Sequence, residues 1–193
     1  FNISISNKLS KGFIRNGHDV VNFSYRNYFN RSLITDKNKN INDKVLTIAD
    51  NYRPNLIVLG HNNFLYPKNI ELIKNKYKTK FALWYEDALG YRGEGPNWKE
   101  NLSLIEKNNH LIDTYFVTTH PDEIRSQIKK NKLNFLPIPV DENIEDLKIY
   151  ENGNRYKDLF FALSHGVNYG KLKRGKIDER EEFVYKLINK YTG

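Results

Sequence analysis

Short apolar runs alternate with longer amphipathic ones along the chain, the pattern of βα repeats and a parallel sheet. Leu9, Phe13 and Ile14 share one face of a helix over 8–16, which Gly17 ends. His18–Phe23 reads as a strand and 26–40 as a polar loop. Val45, Ile48 and Ala49 are spaced for burial on a helix over 41–52, broken at Pro54. The run 55–60 is apolar enough for a buried strand, and Pro67 opens a helix through Tyr77. A strand over 80–85 ends in Glu86-Asp87, followed by a glycine-rich loop, Gly90–Pro96. A helix over 98–108, a strand over 113–118 and a helix from Pro121 to Lys130 come next. The stretch 134–141 is a short strand whose Pro137 and Pro139 suit a sheet edge or a domain exit.

Beyond it, 141–157 is polar and reads as a linker, with a turn signal at Asn152-Gly153-Asn154. A strand over 158–164, a Gly/Lys-rich loop over 165–175 and a helix over 178–191 then begin a new unit. The expected fold class is α/β: a Rossmann-like parallel sheet with helices on both faces, then the first βα unit of a second Rossmann-like domain. The expected domains are 1–140, the linker 141–157, and an incomplete second domain over 158–193. A parallel sheet needs a strand before the first helix, and Phe1, Ile3 and Ile5 supply only its tail. The N-terminus is therefore expected to be trimmed. One βα unit cannot bury its own apolar faces, so the remainder of the second domain is expected outside this sequence.

Composition narrows the chemistry. The 193 residues are 39% hydrophobic and 13% aromatic, enough for a core. There is no cysteine, which excludes disulfides, thiol catalysis and thiolate metal sites and fits a cytoplasmic setting. No apolar run approaches the roughly 20 residues of a membrane span. The formal charge of +8 can attract nucleic acid, anionic lipid or phosphorylated substrates. Lysines are spread over nearly every helix and loop, so this charge reads mainly as solvated surface. Peripheral contact with the inner face of a membrane stays open.

Open parallel sheets bind ligands beyond the carboxyl ends of their strands. The residues expected there are Gly60-His61-Asn62-Asn63, Glu86-Asp87, Thr118-Thr119-His120 and Ser164-His165-Gly166. Three of the five histidines and an acidic pair fall on this rim, although polarity returns at strand ends in any protein. Glu86-Asp87 suits a general base, a metal pair or a binder of sugar hydroxyls. Adjacent residues on a strand point apart, which argues against a shared-proton dyad. A metal site from His61, His120 and Glu86 lacks any recognised ligand spacing. Gly-x-Ser-x-Gly and a phosphate-binding P-loop are also absent. The segment 90–96, with Arg92 and Glu94, reads as a loop over the site. The loop 164–175 offers Gly166 and Gly170 for close backbone approach and Lys171, Lys173 and Arg174 as cations. It opens a helix, and that suits a diphosphate. An exposed basic loop is the plain alternative.

Four stretches resemble glycosyltransferases of the two-Rossmann (GT-B) type, in particular the group 1 and spore-maturation-like sets. They are Arg15-Asn16-Gly17-His18-Asp19-Val20 at a helix-to-strand turn; Phe81–Asp87, a strand ending in an acidic pair; Ile112–His120 with the exit Phe135–Asp141; and Leu159–Lys176 with Glu179-Arg180-Glu181. The resemblance spans nearly the whole chain and lies in order and spacing. The family's glycine-rich turn after its first strand is absent, Pro139 stands where many members have Gly, and its acidic donor motif would lie beyond Gly193. What the resemblance implies is transfer of a sugar from a nucleotide-sugar, as co-substrate, to a cell-envelope glycan or to a lipid-linked or protein acceptor. Neither a cofactor nor a metal is implied. Glu86, Asp87 and His120 would be catalytic, and His61, Asn62, Arg92 and Thr119 would bind acceptor. Gly166, Lys171, Lys173 and Arg174 would cradle the donor diphosphate. Two other readings stand beside it. One is a non-catalytic Rossmann-like module that binds a glycan or a partner. The other is a basic nucleic-acid-binding domain, suggested by the charge and 13 tyrosines and opposed by the even spread of lysines.

Overall fold

The computed structural model describes residues 5–25, 36–60, 65–90, 97–143, 151, 153 and 179–191. The chain divides into two compact units, Phe1–Asp146 and Leu147–Gly193. In the first, α1 (Ile5–Arg15), α2 (Lys37–Tyr52), β1 (Leu56–Gly60), α3 (Pro67–Tyr77), β2 (Lys80–Tyr85), α4 (Trp98–Glu106), β3 (Thr114–Val117) and β4 (Leu133–Phe135) follow in order. In the second, the described element is α5 (Glu179–Tyr191). The strand expected over 158–164 and the loop over 165–175 lie outside the described residues.

The four strands form one parallel sheet in the order β1-β2-β3-β4. With its helices it is an α/β unit of the Rossmann-like class. Side chains alternate across a sheet, so Phe81, Leu83, Tyr85, Tyr115 and Val117 share a face. That face forms the core with Ala49 of α2, Ile70 and Ile73 of α3, and Leu102 and Ile105 of α4. Each fully buried large side chain there contributes roughly 1.5–3 kcal/mol against exposure. The Tyr115 hydroxyl donates to the Ile105 carbonyl at 3.3 Å, and burial pushes its pKa well above the ordinary tyrosine value.

Polar ties fix the ends of the elements. Asp113, just before β3, accepts from the Lys74 ammonium at 2.7 Å and the Phe81 amide at 2.8 Å, joining α3, β2 and β3. Asn42, 1% exposed, accepts from the Tyr66 amide and the Asn69 side chain, holding the first turns of α2 and α3 together. Asp141 is also 1% exposed and accepts from Arg15 at 2.8 Å, with the Lys11 ammonium 3.2 Å away. This anchors α1 to the chain leaving the sheet. Gly17 has φ +82°, and the His18 amide donates to the Phe13 carbonyl, the glycine-ended helix stop the sequence announces.

Several expectations are corrected. Residues 18–24 carry no regular secondary structure. A strand needs a ladder partner, and here Asn22 bonds instead to Asn7 of α1. The helix expected over 121–130 is a 3-10 turn at Pro121–Glu123, an extended Ile124, and a second 3-10 turn at Lys130–Lys132. Ser126 accepts the Ile128 amide and Glu106 accepts the Gln127 amide, taking donors that a helix would give to its own carbonyls. The strand expected over 134–141 closes at Phe135, before prolines that cannot donate to a ladder. The β1 run is less buried than its composition suggested. It lies at the end of the strand order, with Leu56 43% and Val58 37% exposed.

Candidate functional site

The carboxyl ends of β2 and β3 lie side by side, since Tyr85 and Val117 are register partners. The two segments leaving them are stitched together. The Thr118 hydroxyl donates to the Glu86 carbonyl at 2.7 Å, and its amide donates to the Tyr85 carbonyl at 3.3 Å. One step further, the Leu89 amide donates to the Thr119 hydroxyl at 3.1 Å, and Asn101 of α4 donates to the Ala88 carbonyl at 3.1 Å. Leu89 is fully buried. Gly90 packs so closely that an added Cβ would meet the Glu123 carbonyl at 3.1 Å and the Thr119 methyl at 3.2 Å. Residues 86–90 therefore fold down across the top of β3, with Asp87 left exposed on the bend.

Asp87 is felt beneath this bend. The Tyr85 hydroxyl is pushed up to about 12, first by burial and then by the negative charge of Asp87. Glu86 is half-buried. His120 is exposed and caps the 3-10 turn after β3, its Nδ1 accepting from the Asp122 amide at 3.3 Å. The Asp122 carboxylate lies 3.7 Å from the same nitrogen. The bond from the Asp122 amide sets Nδ1 as the ring's acceptor. Nε2 then carries the proton and can donate to a ligand oxygen. The imidazole rests against Phe135 of β4, ring centres 6.1 Å apart.

Of the candidate residues, Glu86, Asp87, Thr119 and His120 thus sit on the carboxyl rim of two adjacent strands. The structure gives Thr119 a bracing role, its oxygen holding the Leu89 amide. His61, Asn62 and Arg92 lie outside the described residues, as do Gly166, Lys171, Lys173 and Arg174. Among the described residues no group of three or more His, Asp or Glu side chains is placed to hold a metal. No described helix is long and apolar enough to cross a membrane.

Sequence reasoning passed over the residues that hold the rim in shape. Asn42, Asn69 and Asn101 look like solvent-facing helix polarity in the sequence, yet each braces the rim side of the sheet. Their one signal is position, in the first two turns of helices whose N-termini face that rim. Trp84 was also missed as a polar group. It is 4% exposed on the face of β2 away from the helix-covered core, and its indole N–H has no partner among the described residues. No family model, curated protein or solved structure matches the chain.

Proposed function

We propose that this chain is the acceptor-side part of a glycosyltransferase that takes its sugar from a nucleotide-sugar. The observation that carries the reading is the braced polar rim at the carboxyl ends of β2 and β3. There an exposed carboxylate, Asp87, stands one strand away from an imidazole, His120, whose Nε2 is left to face a ligand. Carboxylate and imidazole together suit the recognition of sugar hydroxyls. Asp87 accepts the proton of the attacking hydroxyl as general base, which requires only hydrogen-bond reach of that proton. His120 orients the acceptor by donating from Nε2, and Glu86 shapes the turn through its carbonyl. His61, Asn62 and Arg92 complete the acceptor side. In the second unit, Gly166, Lys171, Lys173 and Arg174 hold the diphosphate, whose growing negative charge backbone amides and cations stabilise as the leaving group departs.

A second reading has one observation in its favour. Nδ1 of His120 is occupied and the Thr119 oxygen is engaged, so the described rim offers hydrogen bonds more readily than a nucleophile–base pair. A glycan-binding module without turnover needs no more than this.

Isothermal titration of the chain with a panel of nucleotide-sugars and oligosaccharides, followed by a release assay for free nucleotide, separates the readings. A transferase binds a nucleotide-sugar, and Asp87→Asn lowers its turnover by about 100-fold or more while leaving donor affinity unchanged. Glycan binding without nucleotide-sugar binding supports the module instead. Absence of both overturns both.

A further inference from the structure

We infer that the edge of the sheet opposite this rim is a docking surface for an anionic lipid bilayer. The inference does not depend on the transferase reading. The helices α2 and α3 run back against the strands, so their C-terminal ends meet the first residues of β1 and β2 at one corner of the fold. Arg53 caps α2, Lys78 caps α3, and Lys80 begins β2. All three are exposed, the Lys80 side chain by 72%. Lys76 adds a fourth exposed cation. Neighbouring strands lie about 4.8 Å apart and packed helices about 8–10 Å, so these charges act within roughly one to two Debye lengths of one another. The carboxylates of the corner are Asp50, which holds Lys76 and the Tyr77 hydroxyl, and Asp113, which holds Lys74 and lies 3.7 Å from Lys80. Asp50 also attracts Arg53 through space, whereas Lys78 has no carboxylate partner among the described residues, so Arg53, Lys74, Lys76, Lys78 and Lys80 outnumber the two carboxylates of this corner. At the opposite ends of the same elements, Asp36, Glu86, Asp87, Glu100, Asp122 and Glu123 stand among the lysines. The charge of the first unit is therefore polarised along the strands.

Helix-dipole compensation accounts for only part of this. It covers Lys74 and Lys76 in the last turn of α3, but the last turn of α2 holds no basic residue, Arg53 and Lys78 stand beyond the last turns, and Lys80 belongs to a strand. The backbone argues further. Arg53 has φ +47° and Lys78 has φ +59°, the left-handed cap conformation that glycine adopts without a Cβ penalty. Two long cations occupy, on one edge, two positions where glycine is the easier residue.

The shape selects the partner. Single-stranded nucleic acid is held in a basic groove floored by stacking aromatics. Here the cations stand at two helix ends and at the start of a strand. Lysines outnumber arginine, which suits a diffuse phosphate field better than bidentate base contacts. Tyr52, 63% exposed beside Arg53, supplies the amphipathic ring that favours a headgroup layer. Docked by this edge, the first unit turns the rim bearing Asp87 and His120 away from the bilayer.

The test is co-sedimentation of the chain with vesicles of equimolar phosphatidylglycerol and phosphatidylcholine, against vesicles of phosphatidylcholine alone. Each cation near an anionic surface strengthens partition by roughly fivefold. The triple variant Arg53→Gly, Lys78→Gly, Lys80→Gln should therefore bind about 100-fold more weakly. A control variant, Lys39→Gln, Lys68→Gln, Lys99→Gln, removes the same charge from the first turns of α2, α3 and α4 and should stay within about fivefold of the parent. Glycine relieves the two left-handed caps, so the triple variant should resist urea at least as well as the parent. A cation serving only the fold would lose stability and binding together. Failure of the parent chain to bind anionic vesicles overturns the inference. Equal losses in the two variants overturn it as well, since bulk charge would then be the cause. Tighter binding of a single-stranded RNA oligonucleotide through the same three residues reassigns the surface to nucleic acid.

Discussion

Replacing Asp113 by alanine tests how the sheet is held at its amino edge. The carboxylate accepts from the Phe81 amide at 2.8 Å and from the Lys74 ammonium at 2.7 Å. Phe81 is fully buried, so its amide would be left without that acceptor inside the fold. A hydrogen bond to a charged group is worth roughly 1.5–3 kcal/mol. The ion pair is screened, since the Lys74 and Asp113 side chains are 24% and 30% exposed, and adds about 1 kcal/mol. The expected loss is about 3 kcal/mol, or roughly 6–12 °C in melting temperature for a chain of this size. Burial by itself pushes the Asp113 pKa up, but the bonds from Lys74 and the Phe81 amide bring it below the ordinary value of 3.8. A lowered folded pKa gives stability that is present above the unfolded value and lost as pH falls through the folded one. The penalty of Asp113→Ala should therefore be full at about pH 7 and shrink at about pH 3. Urea unfolding at both pH values, with Lys74→Met completing a double-mutant cycle, measures it. A loss below about 1 kcal/mol, or an equal loss at both pH values, refutes the argument.

Two further outcomes follow from the same geometry. Asp141 is held down to about 2, first by its bond from Arg15, so its contribution is full above the ordinary 3.8 and fades as pH falls toward that lower value. Asp141→Asn should release α1, read as faster amide exchange over 5–15 at neutral pH with α4 unchanged. Gly90→Ala forces a methyl to within 3.1 Å of the Glu123 carbonyl and should cost about 1–3 kcal/mol. The chemical shifts of Thr119 and His120 should move with it; a neutral substitution would mean that the 118–123 segment yields easily.

The elements whose hydrophobic period and end signals agree were legible in the sequence. Pro67 and the apolar spacing behind it define α3, Gly17 stops α1, and 80–85 is a strand to the residue. The rim position of Glu86, Asp87, Thr119 and His120 was legible too, because a parallel sheet places polar residues after apolar strands at its carboxyl edge. The segment 121–130 was not legible. Its apolar spacing fits a helix, but the acceptors that unmake the helix include Glu106, distant in sequence and brought near only by folding. The exposure of β1 was likewise hidden, since an apolar run reads the same at the centre of a sheet and at its edge.

Periodicity and local stop signals are properties of neighbouring residues, and they determined the types of α1 to α4 and of β1 to β3. Partnership between distant residues required the assembled chain. Arg53, Lys78 and Lys80, scattered among the chain's many cations, meet at one corner because the helices returning to β1 and β2 bring their C-caps to the strand starts. Asparagines that look like surface polarity become braces when neighbouring helix N-termini align. The Thr119 hydroxyl accepts from the Leu89 amide because Tyr85 and Val117 stand in register. Register and packing, which no local window contains, decided which polar groups brace the fold and which stay exposed on the rim.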